Sequence, residues 1–174
     1  MKKHMILLIC FFTMCSIIIS TGCVTDNQNV ELADIDNTFE EDYHLLLQVT
    51  EHMLSLSREL HVDMIVIRNT HDPVDIGYGK EMPIDEVSFK DELVVLFEKG
   101  YIYISLSKNT VYFKRWKKTL TPSYRAGFAY SINEDKELDI QYVISQKELS
   151  VPNWYYFEED YEEWRLIDHT SSVS

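Results

Sequence analysis

Apolar residues at Phe39, Tyr43, Leu46, Leu47, Met53, Leu54 and Leu60 recur at close to helical spacing, which predicts one long helix over 39–60. Thr38 and Glu41 match a capping box at its start, a hydroxyl at the cap and a carboxylate three residues later. The run Val62 to Ile67 is short and largely β-branched, so a buried strand follows. From Asn69 to Pro83 the chain carries Asp72-Pro73, Gly77, Gly79 and Pro83, the chemistry of a loop. Ser88 with Asp91 offers a second cap, Phe89, Leu93, Leu96 and Phe97 an inner helical face, and Gly100 a stop.

Beyond Gly100 the period changes to two. Tyr101 to Leu106 alternates, Lys108-Asn109 makes a turn, and Thr110 to Trp116 returns. A second pair, Ala126 to Ile132 and Leu138 to Ile144, is joined by Asn133 to Lys136, and Trp154 to Phe157 makes a last strand. Helices gathered early and strands gathered late predict an α+β fold. It comprises one long N-terminal helix, a short second helix and an antiparallel sheet of about five to six strands.

The N-terminal pattern differs. Lys2, Lys3 and His4 precede an apolar stretch from Met5 to Ile19, and the small residues Ser20-Thr21-Gly22 lead to Cys23. A basic start, a short apolar core and a small-residue end are the layout of an export signal. The tetrad Ser20-Thr21-Gly22-Cys23 resembles the lipobox of bacterial lipoproteins. That resemblance implies cleavage after Gly22 and diacylation of Cys23, which becomes the new N-terminus. A competing reading is an uncleaved span from Met5 to about Val24, although a spanning helix usually needs ~20 apolar residues. Either reading places the rest of the chain outside the cell, attached to the membrane. The expected organisation is a signal peptide over 1–22, an acidic tether over 23–37 and a single α+β domain over 38–174.

Composition sharpens this division. The 174 residues carry 29 acids against 16 bases, and the leader contains Lys2 and Lys3 but none of the acids. All three cysteines, Cys10, Cys15 and Cys23, fall at or before the processing point. A disulfide scaffold, a cysteine-based zinc site and a generally basic nucleic-acid binder are therefore excluded. Hydrophobic content of 45% argues against disorder.

Candidate chemistry is sparse. Ser105-Leu106-Ser107-Lys108 satisfies S-x-x-K, but on an alternating strand and without the companion motifs of that enzyme class. Gly77-Tyr78-Gly79 lacks the third glycine and the helix of a nucleotide loop. His71-Asp72-Pro73-Val74-Asp75 could offer three ligands from one loop, and reads equally as a turn. No catalytic group, metal or cofactor is expected on these grounds, and nucleic acid is not an expected partner.

Two patterns remain. Between Glu98 and Glu134 there is no acid, while Lys99, Lys108, Lys114, Arg115, Lys117, Lys118 and Arg125 supply seven positive charges. Such a stripe either contacts an anionic partner or pairs with acids elsewhere in the chain. The C-terminal part interleaves Trp154, Tyr155, Tyr156, Phe157, Tyr161 and Trp164 with five acids. An alternating strand turns half of its aromatics outward, where Trp154 and Tyr156 would serve as interface anchors or stack on sugars; the other reading makes them core. Together with the Asn153-Trp154-Tyr155-Tyr156 ending, this architecture is similar to that of small uncharacterised lipoproteins of Gram-positive bacteria. The expectation is a membrane-anchored, non-catalytic module that binds a protein, of immunity or accessory type. The alternative is a binder of wall glycan or anionic wall polymer. The residues engaged would be drawn from Lys114, Arg115, Lys117, Lys118, Arg125, Trp154 and Tyr156.

Overall fold

The computed structural model describes residues 27–116, 123–132, 138 and 142–162. The chain divides into two compact units, Met1–Asn37 and Thr38–Ser174. The sheet, the second helix and the first helix from Thr38 onward belong to the second unit. Helix α1 spans Asn27–Leu60 and α2 spans Lys90–Glu98. The strands are β1 (Met64–Ile67), β2 (Val74–Asp75), β3 (Glu81–Met82), β4 (Tyr103–Ser107), β5 (Thr110–Trp116), β6 (Arg125–Ser131), β7 (Val143–Glu148) and β8 (Trp154–Glu159). The fold is α+β, as expected.

Both helices depart from the expected starts. Thr38 and Glu41 lie inside α1, so they form no cap. The cap position of α2 is Phe89, which makes no side-chain cap bond, and Ser88 stands outside it. At the other end Gly100, with φ of +92°, stops α2 and donates its N–H to the Phe97 carbonyl at 3.1 Å. Glycine reaches that left-handed conformation without the Cβ clash other residues meet.

Among the described residues the sheet has eight strands, in the order β3-β2-β1-β4-β5-β6-β8-β7, with every neighbouring pair antiparallel. Eight replaces the expected five to six because β2 and β3, of two residues each, extend the sheet edge within the glycine-rich loop. Strands that short have no hydrophobic period to betray them. The expected Leu138–Ile144 strand is displaced to Val143–Glu148. Its pattern fails there because β7 is an edge strand whose last four residues are exposed, so no alternation is imposed. Nor does β7 form the expected hairpin with β6. The chain passes from β6 to the edge at β7, then returns as β8 between them, paired with both.

This insertion accounts for the sequence of β8. One sheet side carries Ile104, Phe113, Phe128 and Tyr156 in cross-strand register. Phe39 of α1 lies against that side, its ring 5.2 Å from Phe128 and 5.3 Å from Trp154. On the other side Tyr112, Ala129, Leu138, Tyr155 and Phe157 form a buried cluster. A strand covered on both faces reads as a continuous apolar run, and Trp154-Tyr155-Tyr156-Phe157 is such a run.

Candidate functional site

The candidate site begins with a defect in the β5–β6 pairing. Lys114 faces Gly127 and Trp116 faces Ala126, leaving Arg115 as the extra residue of a β-bulge. The strands approach so closely here that a Cβ on Gly127 would lie 1.9 Å from the Phe113 carbonyl oxygen, against rigid backbone. Lys114 and Arg115, consecutive in the strand, take opposite sheet faces and so serve different surroundings.

Arg115 enters a buried ion cluster. Asp42 of α1 is 2% exposed and accepts hydrogen bonds from Arg115 Nη1 at 2.9 Å and from the Tyr101 hydroxyl at 2.8 Å. Lys99, just past the end of α2, lies 2.7 Å from the other Asp42 oxygen. The Arg115 guanidinium also stands over the Tyr101 ring, 5.3 Å from its centre. Burial, reinforced by the Asp42 charge, pushes the Tyr101 phenol far above its ordinary range. This cluster fastens α1, the α2 terminus and β5 to one another. Two members of the acid-free stripe are thus committed to internal pairing.

Lys114 lies on the other sheet side, in a cleft of about 440 Å³ lined by Arg68, Ile102, Tyr103, Lys114 and Arg125. Antiparallel pairing brings these together. Tyr103 faces Lys114 across β4–β5, and Lys114 Nζ sits over the Tyr103 ring, 5.0 Å from its centre. Gly127, opposite Lys114, contributes no side chain. Arg125 faces Glu159 across β6–β8 and donates Nη1–H to the Tyr124 carbonyl at 2.7 Å. Two carboxylates balance the cations in part. Glu159 lies 2.7 Å from Lys114, a largely buried pair, and Asp75 lies 3.8 Å from Arg68, an exposed and loose one. Burial raises the Tyr103 phenol, with the Arg68 charge acting in the opposite direction.

Asp75 links this cleft to a second feature. Its Oδ1 accepts the Gly77 N–H at 2.9 Å and so holds the turn between β2 and β3. The Ile76 N–H bonds the Lys80 carbonyl, and the Lys80 N–H bonds the Gly77 carbonyl, both at 3.0 Å. Gly77, Tyr78 and Gly79 all have positive φ, at 82°, 53° and 71°. For tyrosine that conformation is strained. The result is a closed turn, packed through Gly77 against Met64, that presents Tyr78 82% exposed.

The remaining candidates fall elsewhere. Trp154 is 1% exposed, between Phe39, Tyr43, Phe113 and Tyr130, and Tyr156 is buried with its hydroxyl donating to Glu158 at 2.8 Å. The expected outward aromatics of this strand are corrected to core, because β8 lies within the sheet. Desolvation, followed by that Glu158 bond, raises the Tyr156 phenol far above its usual range. Ser105 and Ser107 are paired residues of β4, and Lys108, at φ of 52°, turns the hairpin. In the His71 loop Asn69 Oδ1 accepts the N–H groups of His71 and Asp72, which gives the segment the form of a side-chain-capped turn. Among the described residues there is no group of three or more His, Cys, Asp or Glu side chains placed to hold a metal. Gly22, Cys23, Lys117 and Lys118 lie outside the described residues. Among the described residues no helix is long and apolar enough to cross a membrane.

Arg68 and Tyr103 do not stand out in the sequence. Arg68 lies outside the acid-free stretch and follows a buried strand, and Tyr103 is one member of an alternating run. Only the β1–β4–β5 pairing makes them neighbours of Lys114. No family model, no curated protein and no solved structure matches the chain.

Proposed function

We propose that the chain is a membrane-anchored extracytoplasmic lipoprotein, held by a lipid on Cys23, whose folded part is a non-catalytic module that binds a protein. The supporting observation is the presentation of Tyr78. A tyrosine held 82% exposed on a hydrogen-bonded turn, in a backbone conformation that costs energy, has no role in the core of this fold. Strain of ~1–3 kcal/mol persists where the surroundings over-determine it, and such sites cluster at points of contact and recognition. A preordered aromatic loses little side-chain entropy on docking, which suits it as an interface anchor.

Two experiments test this reading. A photo-reactive amino acid at position 78 is expected to give one discrete protein adduct in intact cells, while the same group at the exposed helical position Glu59 gives none. Adducts of equal yield at both positions, or none at Tyr78, would remove the docking role. Anchoring is checked by fractionation. Cys23→Ser is expected to leave the membrane and appear in the medium, because two acyl chains contribute ~0.8 kcal/mol per buried methylene. A chain still in the membrane would point instead to the uncleaved Met5–Val24 span.

A second reading, a binder of anionic wall polymer, is favoured by the cleft between Arg68, Lys114 and Arg125. Stacking of sugars on Trp154 or Tyr156 does not support it, since both rings are buried.

A further inference from the structure

We infer that Met64 is a site of oxidation by peroxide, and that its sulfoxide loosens the turn that presents Tyr78. The consequence for docking rests on the reading of Tyr78 given above, whereas the oxidation itself does not. No cysteine follows Cys23, and Met1, Met5 and Met14 lie in the leader. The chain beyond Thr38 therefore carries its sulfur in Met53, Met64 and Met82. Met53 is fully buried in α1 and Met82 is half-buried in β3, but Met64, the first residue of β1, is 39% exposed. Oxidation follows exposure, so peroxide reaches Met64 first.

The position of this sulfur gives its oxidation a consequence. A Cβ built on Gly77 would lie 3.7 Å from Met64 Cβ and 3.9 Å from Met64 Cε, so the thioether side chain packs against the turn. Gly77 is buried there and opens the run of three residues with positive φ. Tyr78 keeps its strained backbone only while its surroundings over-determine it. Those surroundings are the Asp75 bond to the Gly77 N–H, the two backbone bonds made by Lys80, and the Met64 contact. Oxidation removes the last of these. The sulfur lone pair attacks one oxygen of hydrogen peroxide, and the O–O bond breaks. The proton of the transferred hydroxyl leaves with the departing hydroxide as water. Sulfur loses two electrons and the peroxide gains them. A flexible apolar side chain thereby becomes a polar one, which hydration draws toward solvent and away from Gly77.

The test uses the full chain in detergent, treated with hydrogen peroxide and mapped by peptide mass spectrometry. Met64 sulfoxide is expected to form about tenfold faster than Met53 sulfoxide, with Met82 between them. Chymotrypsin then reads the turn, since it cuts after tyrosine where the backbone opens. Cleavage between Tyr78 and Gly79 is expected to rise roughly fivefold on oxidation, while cleavage after Tyr103, inside β4, stays unchanged. Met64→Leu is expected to abolish the rise, and Met64→Gln to reproduce it without peroxide. Oxidation of Met53 or Met82 ahead of Met64 would overturn the inference. So would an unchanged cut after Tyr78, or one that rises equally in Met64→Leu. A cut after Tyr103 that rises in step would mean global unfolding and overturn it as well. In intact cells, the adduct formed through a photo-reactive residue at position 78 is expected to fall several-fold after peroxide, but not in Met64→Leu. An adduct yield untouched by oxidation would break the link to docking. No adduct before peroxide removes the docking reading and leaves the chymotrypsin result standing, so the two fail separately.

Discussion

Replacing Trp154 by alanine is expected to lower the stability of the fold by ~4 kcal/mol. The indole is 1% exposed, and four rings from three elements lie around it: Phe39 and Tyr43 of α1, Phe113 of β5 and Tyr130 of β6, with centres 5.3 to 6.1 Å away. Phe39, Phe113 and Tyr130 belong to a helix and two strands that do not move independently, so the cavity left by the indole cannot close by adjustment of one element. The loss therefore includes both the transfer term and the cavity term. It amounts to a large part of the ~5–15 kcal/mol that holds an ordinary domain folded. A midpoint decrease of roughly 10 °C follows from the size of the domain. Thermal and urea unfolding followed by far-ultraviolet circular dichroism measures it. A change below about 1 kcal/mol, the level of a surface substitution, would contradict the aromatic core described here. Any binding lost in this variant reports unfolding, which is why Trp154 is a poor choice for locating a ligand.

Trp154 also shows where sequence pattern and structure part. The alternating run Tyr101–Leu106, the turn at Lys108-Asn109 and the return through Thr110 to Trp116 became β4, the hairpin and β5, because each alternates between a packed and a less packed side. Trp154 to Phe157 is legible as a strand, and its unbroken apolar run is the local mark of cover on both faces. Its neighbours, β6 and β7, are set by chain crossing, which these four residues do not encode. The same holds for the basic stripe. Seven charges in a row of acid-free sequence are visible without a structure, and so is the alternative that they pair internally. Which charge does which depends on the sheet face each takes as consecutive strand residues and on what packs there. Arg115 meets Asp42, 73 positions away, and Lys114 meets Glu159, 45 positions away. Arg68 enters the cleft through a strand pairing that places Val66 against Ser105 and Asp75 at once. Long-range pairing of this kind decides a site from residues that are individually unremarkable in the sequence.

Asp42→Ala is expected to cost a further test of the same kind, ~3–5 kcal/mol, by a different physical route. The substitution removes little volume. It leaves the Tyr101 hydroxyl without its acceptor and the Arg115 and Lys99 charges without their partner, in a place where Asp42 itself is 2% exposed. A buried cation stripped of its counter-ion retains its desolvation cost and loses the attraction that offset it. Lys99, with 39% of its side chain exposed, turns to solvent, whereas Arg115 at 25% and Tyr101 at 2% have less freedom to do so. The penalty therefore resides in the two groups that remain, which gives a sign to the next variant. Combining Asp42→Val with Tyr101→Phe and Arg115→Met removes the three more buried polar groups of that core, leaving Lys99 to solvent, with only a small change in volume. It is expected to recover most of the stability lost by Asp42→Ala, since a buried ion pair is commonly no more stabilising than well-packed apolar side chains. Urea unfolding of the single and triple variants side by side decides the matter. A triple variant as unstable as Asp42→Ala would mean that the cluster stabilises the fold through its own attraction, beyond satisfying the charges that α1, the α2 terminus and β5 bring together.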